Sequence, residues 1–322
     1  MTQRTPDDGS LAASGPGARR ERLLGGLFSL AAYLLWGLFP IYFLALAPTG
    51  PWEVVAWRVL LSLVFCVVGL SVVRAWPALI RIVRQGRLLG LTALAGALIM
   101  VNWTTYLIGT LTGHVIEASL GYFINPIVTV LLGVLVLRER LRAAQWAAIG
   151  IALVAVLVIV VGYGQVPWIS LILAFSFGLY GLVKKQIGPS VDALSGLTLE
   201  SAWMTPVAAV MLVWVGLTGG ITLGTAGPWH AVLLALAGVV TAVPLLFFAA
   251  GTRRIPLSVV GLLQFITPIM QFIIGAAFLH EEMTFERWIG FGLVWVALVV
   301  LTVDSLLSAR RARAASDAAE LA

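Results

Sequence analysis

Uniformly apolar runs follow one another along this chain, separated by short polar segments. Runs of about 20 residues match the hydrocarbon thickness of a bilayer when they are coiled as α-helices. They are too long and too uniformly apolar for the strands of a membrane barrel, so helices must satisfy the backbone hydrogen bonds. Hydrophobic residues make up 61% of the chain and charged residues 11%, which excludes a soluble globular domain. The sequence therefore predicts an all-α polytopic membrane protein.

Ten spans are predicted, with a polar segment at each end. Residues 1–23 are polar and rich in proline and glycine, and we predict a disordered tail there. Residues 309–322 form a second polar tail. The spans cover residues 24–46, 54–73, 88–108, 115–137, 144–163, 168–186, 196–217, 230–250, 257–279 and 288–307.

The basic residues predict the orientation of the spans. Alternate loops and the two tails hold almost all of the 20 basic residues, whereas the opposite side holds only Arg287. Because cytoplasmic loops are enriched in arginine and lysine, we place both termini in the cytoplasm. The basic residues are dispersed over short loops and form no patch, which argues against a nucleic-acid partner. We predict that the lipid bilayer surrounds the apolar spans.

One proline-containing apolar segment occurs twice, 142 positions apart. Phe123, Ile124 and Pro126 recur as Phe265, Ile266 and Pro268. The match predicts two five-helix repeats, residues 24–163 and 164–308. Because five is odd, the second repeat enters the membrane inverted relative to the first. Such inverted repeats place a binding site at their interface, near the middle of the membrane.

A polar stripe at helical spacing accompanies the proline in each copy. We interpret the two stripes as two faces of one substrate site. Each proline removes a backbone donor, so Pro126 and Pro268 are interpreted as helix breaks that free a carbonyl for a ligand. Kinks that serve only packing are the alternative. The stripes are Tyr122, Asn125 and Thr129 in the first copy and Gln264, Thr267 and Gln271 in the second.

Further polar and aromatic residues are candidates for the wall of the same cavity. Asn102, Trp103 and Tyr106 adjoin on the third span, and an amide in lipid faces a neighbouring helix or a cavity. Core packing is the alternative for this group. Trp36 and Tyr180 line the cavity or belong to interfacial aromatic belts. His114 stands at an outer helix start, and either a proton-coupling role or a plain helix-end position is open to it.

Three charged residues within spans are functional candidates, because each costs about 2.5–3.5 kcal/mol on insertion scales. They are Arg58, Glu117 and Glu200, of which Arg58 and Glu200 are repeat equivalents placed at opposite depths by the inversion. We predict an Arg58–Glu117 pair near the outer surface. We also predict a pair of Glu200 with Lys184 or Lys185 near the inner surface. The alternative is that all of them extend to the interfaces.

Catalytic and metal-binding signatures are absent from the sequence. It contains no HExxH, GxSxG or P-loop motif, and the three histidines are scattered. The single cysteine, Cys66, lies within a span and excludes a disulfide framework. We therefore predict no enzyme, no cofactor and no metal site.

Several motifs resemble one family closely. Residues 117–126 (EASLGYFINP), 31–37 (AAYLLWG) and 174–183 (AFSFGLYGLV), with Asn102-Trp103, 243–246 and 264–266, resemble the RarD proteins. These are EamA-type members of the drug/metabolite transporter superfamily, often labelled chloramphenicol-sensitive proteins. The resemblance implies ten helices in two inverted repeats around a central cavity, and secondary transport of small metabolites or drugs across the bacterial inner membrane. Phe265 departs from the tyrosine usual there, so a phenolic bond to the ligand does not carry over.

Repeat and resemblance together predict a secondary transporter of small, partly apolar solutes that works by alternating access. The repeats would rock about Pro126 and Pro268, and Arg58 with Glu117 would shape the outer mouth. Coupling to protons at Glu117, or to a counter-ion, is an open hypothesis. The alternatives are a non-transporting membrane scaffold and an intramembrane lipid-modifying enzyme. The residues leave open the natural substrate, the direction of transport and the oligomeric state, with a monomer as one option.

Overall fold

The computed structural model of the protein describes residues 16–137, 142–163, 166–188, 190–252, 254–255 and 263–320. Regular structure in these ranges is helical throughout. The helices are α1 Pro16–Gly37, α2 Phe39–Leu44, α3 Pro51–Val72, α4 Trp76–Val83, α5 Gly86–Leu111, α6 Val115–Leu137, α7 Ala143–Tyr163, α8 Trp168–Ile187, α9 Ala193–Thr218, α10 Pro228–Ala235, α11 Ala237–Thr252, α12 Ile266–Ile273 and α13 Phe285–Glu320, with a π-helical segment at Ile274–Phe278.

Within the described ranges, seven helical segments are long and apolar enough to cross a membrane. The first combines α1 and α2, and the sixth combines α10 and α11. Shorter apolar helices lie at Val115–Thr129, Trp168–Lys184 and Ile266–Phe278, where further spans were predicted. These elements support a multi-pass helical membrane protein, while the number of ten spans stays a prediction. The seven segments are Arg20–Leu44, Pro51–Val72, Gly86–Leu111, Ala143–Val161, Ala193–Thr218, Pro228–Phe248 and Phe285–Asp304.

The terminal helices extend into both predicted tails. Helix α1 begins at Pro16, so the prediction of disorder is wrong for residues 16–23. Proline is favourable at the first helical position, because its missing N–H is not needed there. Residues 1–15 lie outside the described ranges. At the other end α13 continues to Glu320, through most of the second predicted tail.

The two predicted proline breaks have different outcomes. Pro126 lies inside α6, which continues to Leu137, so the predicted break there is wrong. In the second copy Gln264 forms part of a turn and α12 begins at Ile266. Pro268 therefore lies in the first turn of α12, where backbone N–H groups have no helical acceptor. This helix begins two residues before the proline, and residues 256–262 lie outside the described ranges.

Two further interruptions were not predicted. Helix α1 ends at Gly37, and α2 starts at Phe39 with Pro40 in its first turn. Helix α10 ends at Ala235, and a single residue, Leu236, separates it from α11. Proline at a helix start supplies no donor to the preceding turn. The first break therefore frees a carbonyl group in the interior of the protein.

Helix pairs recur in the order of the sequence repeat. Helices α3, α5 and α7 begin 142 positions before α9, α10 and α13, respectively. Helix α3 packs on α9, α6 on α12, and α7 on α13. The contact of α5 with α8 has a counterpart in that of α11 with α1, and the contact of α5 with α9 has one in that of α11 with α3. When each helix is replaced by its counterpart in the other repeat, each of these contacts is found again.

Two buried apolar clusters stand on either side of α6. One is formed where α2, α3, α5, α8, α9 and α10 meet, with Phe43, Leu107 and Leu173 at 0–1% exposure. The other joins α6, α7 and α13 around Phe291. The first cluster contains Phe39, Phe43 and Trp103, whose rings lie next to the buried charge of Arg58.

Candidate functional site

Arg58 lies within the first apolar cluster and is only 3% exposed. Its Nε donates a hydrogen bond to Thr241 Oγ1 at 2.7 Å. The guanidinium carbon lies 4.1 Å from the centre of the Trp103 ring and 5.3 and 5.4 Å from the rings of Phe39 and Phe43. Aromatic faces attract a cation through their negative quadrupole. Helices α2, α3, α5 and α11 thus enclose one guanidinium in an aromatic cage.

The predicted Arg58–Glu117 pair is wrong. Glu117 Oε1 accepts a hydrogen bond from the backbone N–H of Ile169 at 3.0 Å, and Ser170 Oγ donates to the Glu117 carbonyl oxygen at 2.6 Å. Ile169 lies in the first turn of α8, where unpaired N–H groups favour a carboxylate. Glu117 therefore joins α6 to the start of α8. Across the described ranges, no carboxylate forms an ion pair with Arg58.

The predicted inner pair is confirmed for Lys184. Its Nζ lies 2.7 Å from Glu200 Oε1, and Glu200 is 1% exposed. The Tyr180 hydroxyl donates to the second carboxylate oxygen at 3.1 Å. The predicted residue Tyr180 therefore belongs to this charged group. The side chain of Lys185, the other candidate partner, lies outside the described part of the chain.

Asn102 joins three helices. Its Nδ2 donates to the Leu173 carbonyl oxygen and to Ser176 Oγ, both at 3.1 Å on α8. Its Oδ1 accepts a hydrogen bond from the Tyr122 hydroxyl of α6 at 3.3 Å. Both amide N–H groups are thus used, and the residue is 1% exposed. The packing alternative fits Asn102 better than the predicted cavity wall.

Trp103 and Tyr106, the other predicted residues of α5, lie close to Arg58. The ring of Tyr106 is centred 5.8 Å from that of Tyr122 and 6.1 Å from that of Phe43. Tyr106 is 2% exposed, and its hydroxyl forms no hydrogen bond of normal geometry within the described residues, although it interacts with the Thr110 side chain. The structure therefore groups these two residues with Arg58.

The second polar stripe docks on α1. Thr267 Oγ1 donates to the Tyr33 carbonyl oxygen at 2.8 Å, and Gln271 Nε2 donates to that of Trp36 at 3.2 Å. The Trp36 carbonyl would meet the N–H of residue 40 in a regular helix, but that residue is Pro40. Gln271 therefore satisfies the carbonyl freed at the α1–α2 break. The sequence predicted a freed carbonyl beside Pro126 and Pro268 instead.

The first stripe is more open. Asn125 Oδ1 accepts a hydrogen bond from the Thr129 hydroxyl at 3.1 Å, while Asn125 Nδ2 is buried without a partner among the described residues. Thr129 is exposed and Gln264 is half-buried. Helices α6 and α12 contact each other, yet the hydrogen bonds of Thr267 and Gln271 lead to α1. That both stripes face one substrate site stays a prediction.

Sequence reasoning missed a polar group near the start of α3. Glu53 is 1% exposed and accepts hydrogen bonds from the Thr222 backbone N–H at 2.9 Å and the Thr222 hydroxyl at 3.0 Å. The Thr222 hydroxyl contacts that of Thr49 at 2.7 Å, which in turn lies 2.7 Å from Nε2 of buried His230. An acid in the first turn after Pro51 is the signal that could have revealed Glu53.

A second carboxylate caps α6. Glu281 accepts hydrogen bonds from the backbone N–H groups of Val115 at 2.7 Å and Ile116 at 2.9 Å. Burial raises the pKa of Glu281, while these two bonds and the charges of His114 and Arg287 act in the opposite direction. His114 itself is exposed in the turn before α6 and contacts Thr112 Oγ1 at 3.0 Å. Of its two interpretations, the helix-end position matches its place in the fold.

Fold and site together define a multi-pass helical membrane protein with buried charged and polar groups between its helices. Residues 23–161 and 166–303 each match the EamA-like transporter family. This chain is 48% identical over 302 residues to Protein RarD of Streptomyces exfoliatus, covering 94% of this chain and 95% of that protein. It is 39% identical to the uncharacterized transporter YojE of Bacillus subtilis (strain 168), covering 89% and 96%.

The chain therefore belongs to the EamA-like transporter family, and the resemblance to RarD proteins is confirmed. A crystal structure that shares 15% sequence identity matches with a TM-score of 0.57, over 87% of this chain and 97% of that one. At this identity the likeness shows a shared fold alone.

Proposed function

We propose that this protein is a secondary transporter that moves small, partly apolar solutes across the membrane by alternating access. Membership of a transporter family supports the class of protein. The observation that carries the mechanism is the exchange of helix contacts between the two repeats. Ten spans, with both termini in the cytoplasm, form part of the proposal.

Reciprocal contacts support a two-fold relation between the repeats. A Cβ atom built on Gly238 would lie 2.5 Å from the Leu61 carbonyl oxygen, and one built on Gly96 would lie 3.6 Å from Trp203 Cβ. Gly96 and Gly238 are repeat mates, as are Leu61 and Trp203. Contacts that are exchanged in this way are typical of a two-fold axis. With five spans in each repeat, the axis lies in the membrane plane and the repeats are inverted.

The hinges of the proposed motion are the interrupted helices. Helix α1 stops at Gly37 and α12 starts after a turn at Gln264, and Gln271 links the two elements through the Trp36 carbonyl. Element ends absorb backbone rotation more easily than regular helix does. Rocking of one repeat against the other would expose the residues between them to each side in turn.

Cysteine accessibility tests alternating access without knowledge of the substrate. Cys66 is the only cysteine of the chain and is buried, so Cys66→Ala gives a background in which Asn125→Cys is the single thiol. A membrane-impermeant maleimide is applied to right-side-out and to inside-out vesicles. We expect Asn125→Cys to react from both sides. Reaction from one side only, or from neither, would contradict alternating access.

Two exposed positions serve as matched controls in the same background. Thr225→Cys should react only from outside, and Gln85→Cys only from the cytoplasmic side. In parallel, proteoliposomes are assayed for uptake and efflux of a metabolite panel, with Asn125→Ala as the comparison. We expect at least one solute to accumulate above protein-free liposomes and Asn125→Ala to slow that accumulation.

A further inference from the structure

We propose that Arg58 is the anion-binding group of the substrate site and that the substrate is a small monocarboxylate with an apolar body. This inference rests on the proposed transport function and names the solute class that the site accepts. Arg58 is 3% exposed, and its Nη1 is a buried donor without a partner among the described residues. A buried charge is costly unless it is paired, so a group of this kind marks a ligand site.

The equivalent charged residues of the two repeats differ in whether the protein supplies a countercharge. Glu200, the repeat mate of Arg58, has a countercharge in Lys184 at 2.7 Å. The position equivalent to Lys184 in the first repeat is Tyr42, which is neutral and donates its hydroxyl to the Leu233 carbonyl oxygen at 2.8 Å. The protein thus pairs the inner charge itself. We infer that the anionic solute pairs the outer one.

A second buried donor lies beside Arg58. The Tyr106 hydroxyl forms no hydrogen bond of normal geometry in the described ranges, where its side-chain interactions are with Thr110 and with Arg58. Phe43 packs against both, 5.4 Å from the guanidinium and 6.1 Å from the Tyr106 ring. The Tyr122 hydroxyl is already used by Asn102. One guanidinium N–H and one phenol O–H match the two oxygens of a carboxylate.

The surroundings select the solute class. Trp103, Phe39 and Phe43 form apolar walls around the guanidinium and favour an apolar solute body. One arginine neutralises one negative charge, whereas a phosphate dianion would leave a net charge in an apolar site. An amino acid would also need a carboxylate for its ammonium group. Glu117, the predicted outer acid, is engaged with the start of α8 instead.

Benzoate and its neutral isostere benzamide are the probes. The purified full-length protein in nanodiscs is heated with increasing benzoate, benzamide, chloride or phenylalanine at constant ionic strength and pH, and Tm is recorded. A ligand that binds only the folded state raises Tm in proportion to its occupancy. We expect a saturable rise with benzoate alone. Equal responses to benzoate and benzamide would overturn the proposal, and so would a rise with chloride or phenylalanine as large as that with benzoate.

Three variants locate the binding group. Arg58→Gln should abolish the benzoate response. Tyr106→Phe removes one hydroxyl and should lower the affinity for benzoate about 10-fold, as expected for loss of a charge-assisted hydrogen bond. Arg81→Gln, an exposed arginine on α4, should leave the response unchanged. A benzoate response that persists in Arg58→Gln would overturn the proposal. If Arg58→Gln does not fold, Tyr106→Phe decides, and wild-type benzoate affinity in that variant would refute the site.

The carboxylate site and alternating access can be refuted independently of each other. Loss of benzoate recognition with Asn125→Cys still reactive from both sides would reject the carboxylate site and leave alternating access standing. Benzoate recognition with Asn125→Cys reactive from one side only would leave a binding site in a protein that does not alternate.

Discussion

Burial decides how each charged residue of the interior is held. Arg58 and Glu200 are 3% and 1% exposed, so extension to the interfaces is wrong for both. Glu200 meets an ammonium and a phenol, whereas Arg58 meets one hydroxyl and aromatic faces. Equivalent positions of the repeat therefore have different electrostatic roles. A paired charge has its desolvation offset by its partner, and an unpaired one is available for a ligand.

Removing Lys184 should cost more stability than removing the charge of Glu200. In Lys184→Met a carboxylate stays buried without a countercharge, while in Glu200→Gln the ammonium, whose side chain is 30% exposed, can turn to solvent. Loss of one partner of a buried pair costs about 3–5 kcal/mol, and partial exposure of Lys184 reduces this. We expect Lys184→Met to lower the free energy of unfolding in mixed micelles by about 1–3 kcal/mol.

The double variant is the control for this pair. Lys184→Met with Glu200→Gln should recover part of the loss, because no unpaired charge is left buried. Equal effects of the two single substitutions, with strict additivity in the double variant, would refute the coupling.

At the scale of the helices, the prolines differ in whether they interrupt a helix. Pro126 is embedded in an otherwise continuous α6, while Pro40 and Pro268 lie in first turns. A proline at a helix start removes no intrahelical donor, but one inside a helix leaves a carbonyl unpaired. Breaks could be predicted at proline from the sequence. Which prolines would become helix starts depended on neighbouring donors such as Gln271.

Gln271→Leu should destabilise the junction of α1, α2 and α12. The substitution leaves the half-buried Trp36 carbonyl without its donor. Hydrogen bonds of this kind within membrane proteins contribute about 0.5–2 kcal/mol, and we expect a loss of that size. The free energy of unfolding in mixed micelles measures it.

Pro40→Ala provides a rescue for that variant. Alanine at position 40 restores an N–H at the place where a continuous helix would bond Trp36. We expect Pro40→Ala to reduce the loss caused by Gln271→Leu. A double variant no more stable than Gln271→Leu alone would show that the side chain acts in another way.

At the scale of the whole molecule, the repeats are joined by close backbone approaches. Gly238 faces the Leu61 backbone, and Gly96 faces the carbonyl oxygen of Glu200 at 3.1 Å from a built Cβ atom. Glycine permits this approach because it has no side chain to displace the neighbouring helix. The interface between the halves therefore depends on small residues at equivalent positions.

Gly238→Ala should be the most damaging of three matched glycine substitutions. Its methyl group would overlap the Leu61 backbone, which cannot move aside as a flexible side chain can, and overpacking costs about 1–3 kcal/mol. Gly96→Ala should cost less. Gly292→Ala, whose built Cβ meets nothing within 4 Å, should be neutral or slightly stabilising because alanine favours helix. Thermal unfolding of the three variants in one lipid mixture measures the order, and damage by Gly292→Ala equal to that by Gly238→Ala would contradict it.

The sequence by itself determined the class of protein, its apolar helical character and the internal repeat. Hydropathy, span length and the 142-residue spacing are local or periodic properties that any fold of this chain must satisfy. The Lys184–Glu200 pair was also predictable, since both residues lie near one end of adjacent spans. Tertiary structure alone decided that Arg58 meets Trp103, that Glu117 meets the start of α8, and that Gln271 meets the Trp36 carbonyl. These partners come from helices distant in sequence, and only the rotation and packing of each helix determine which faces meet.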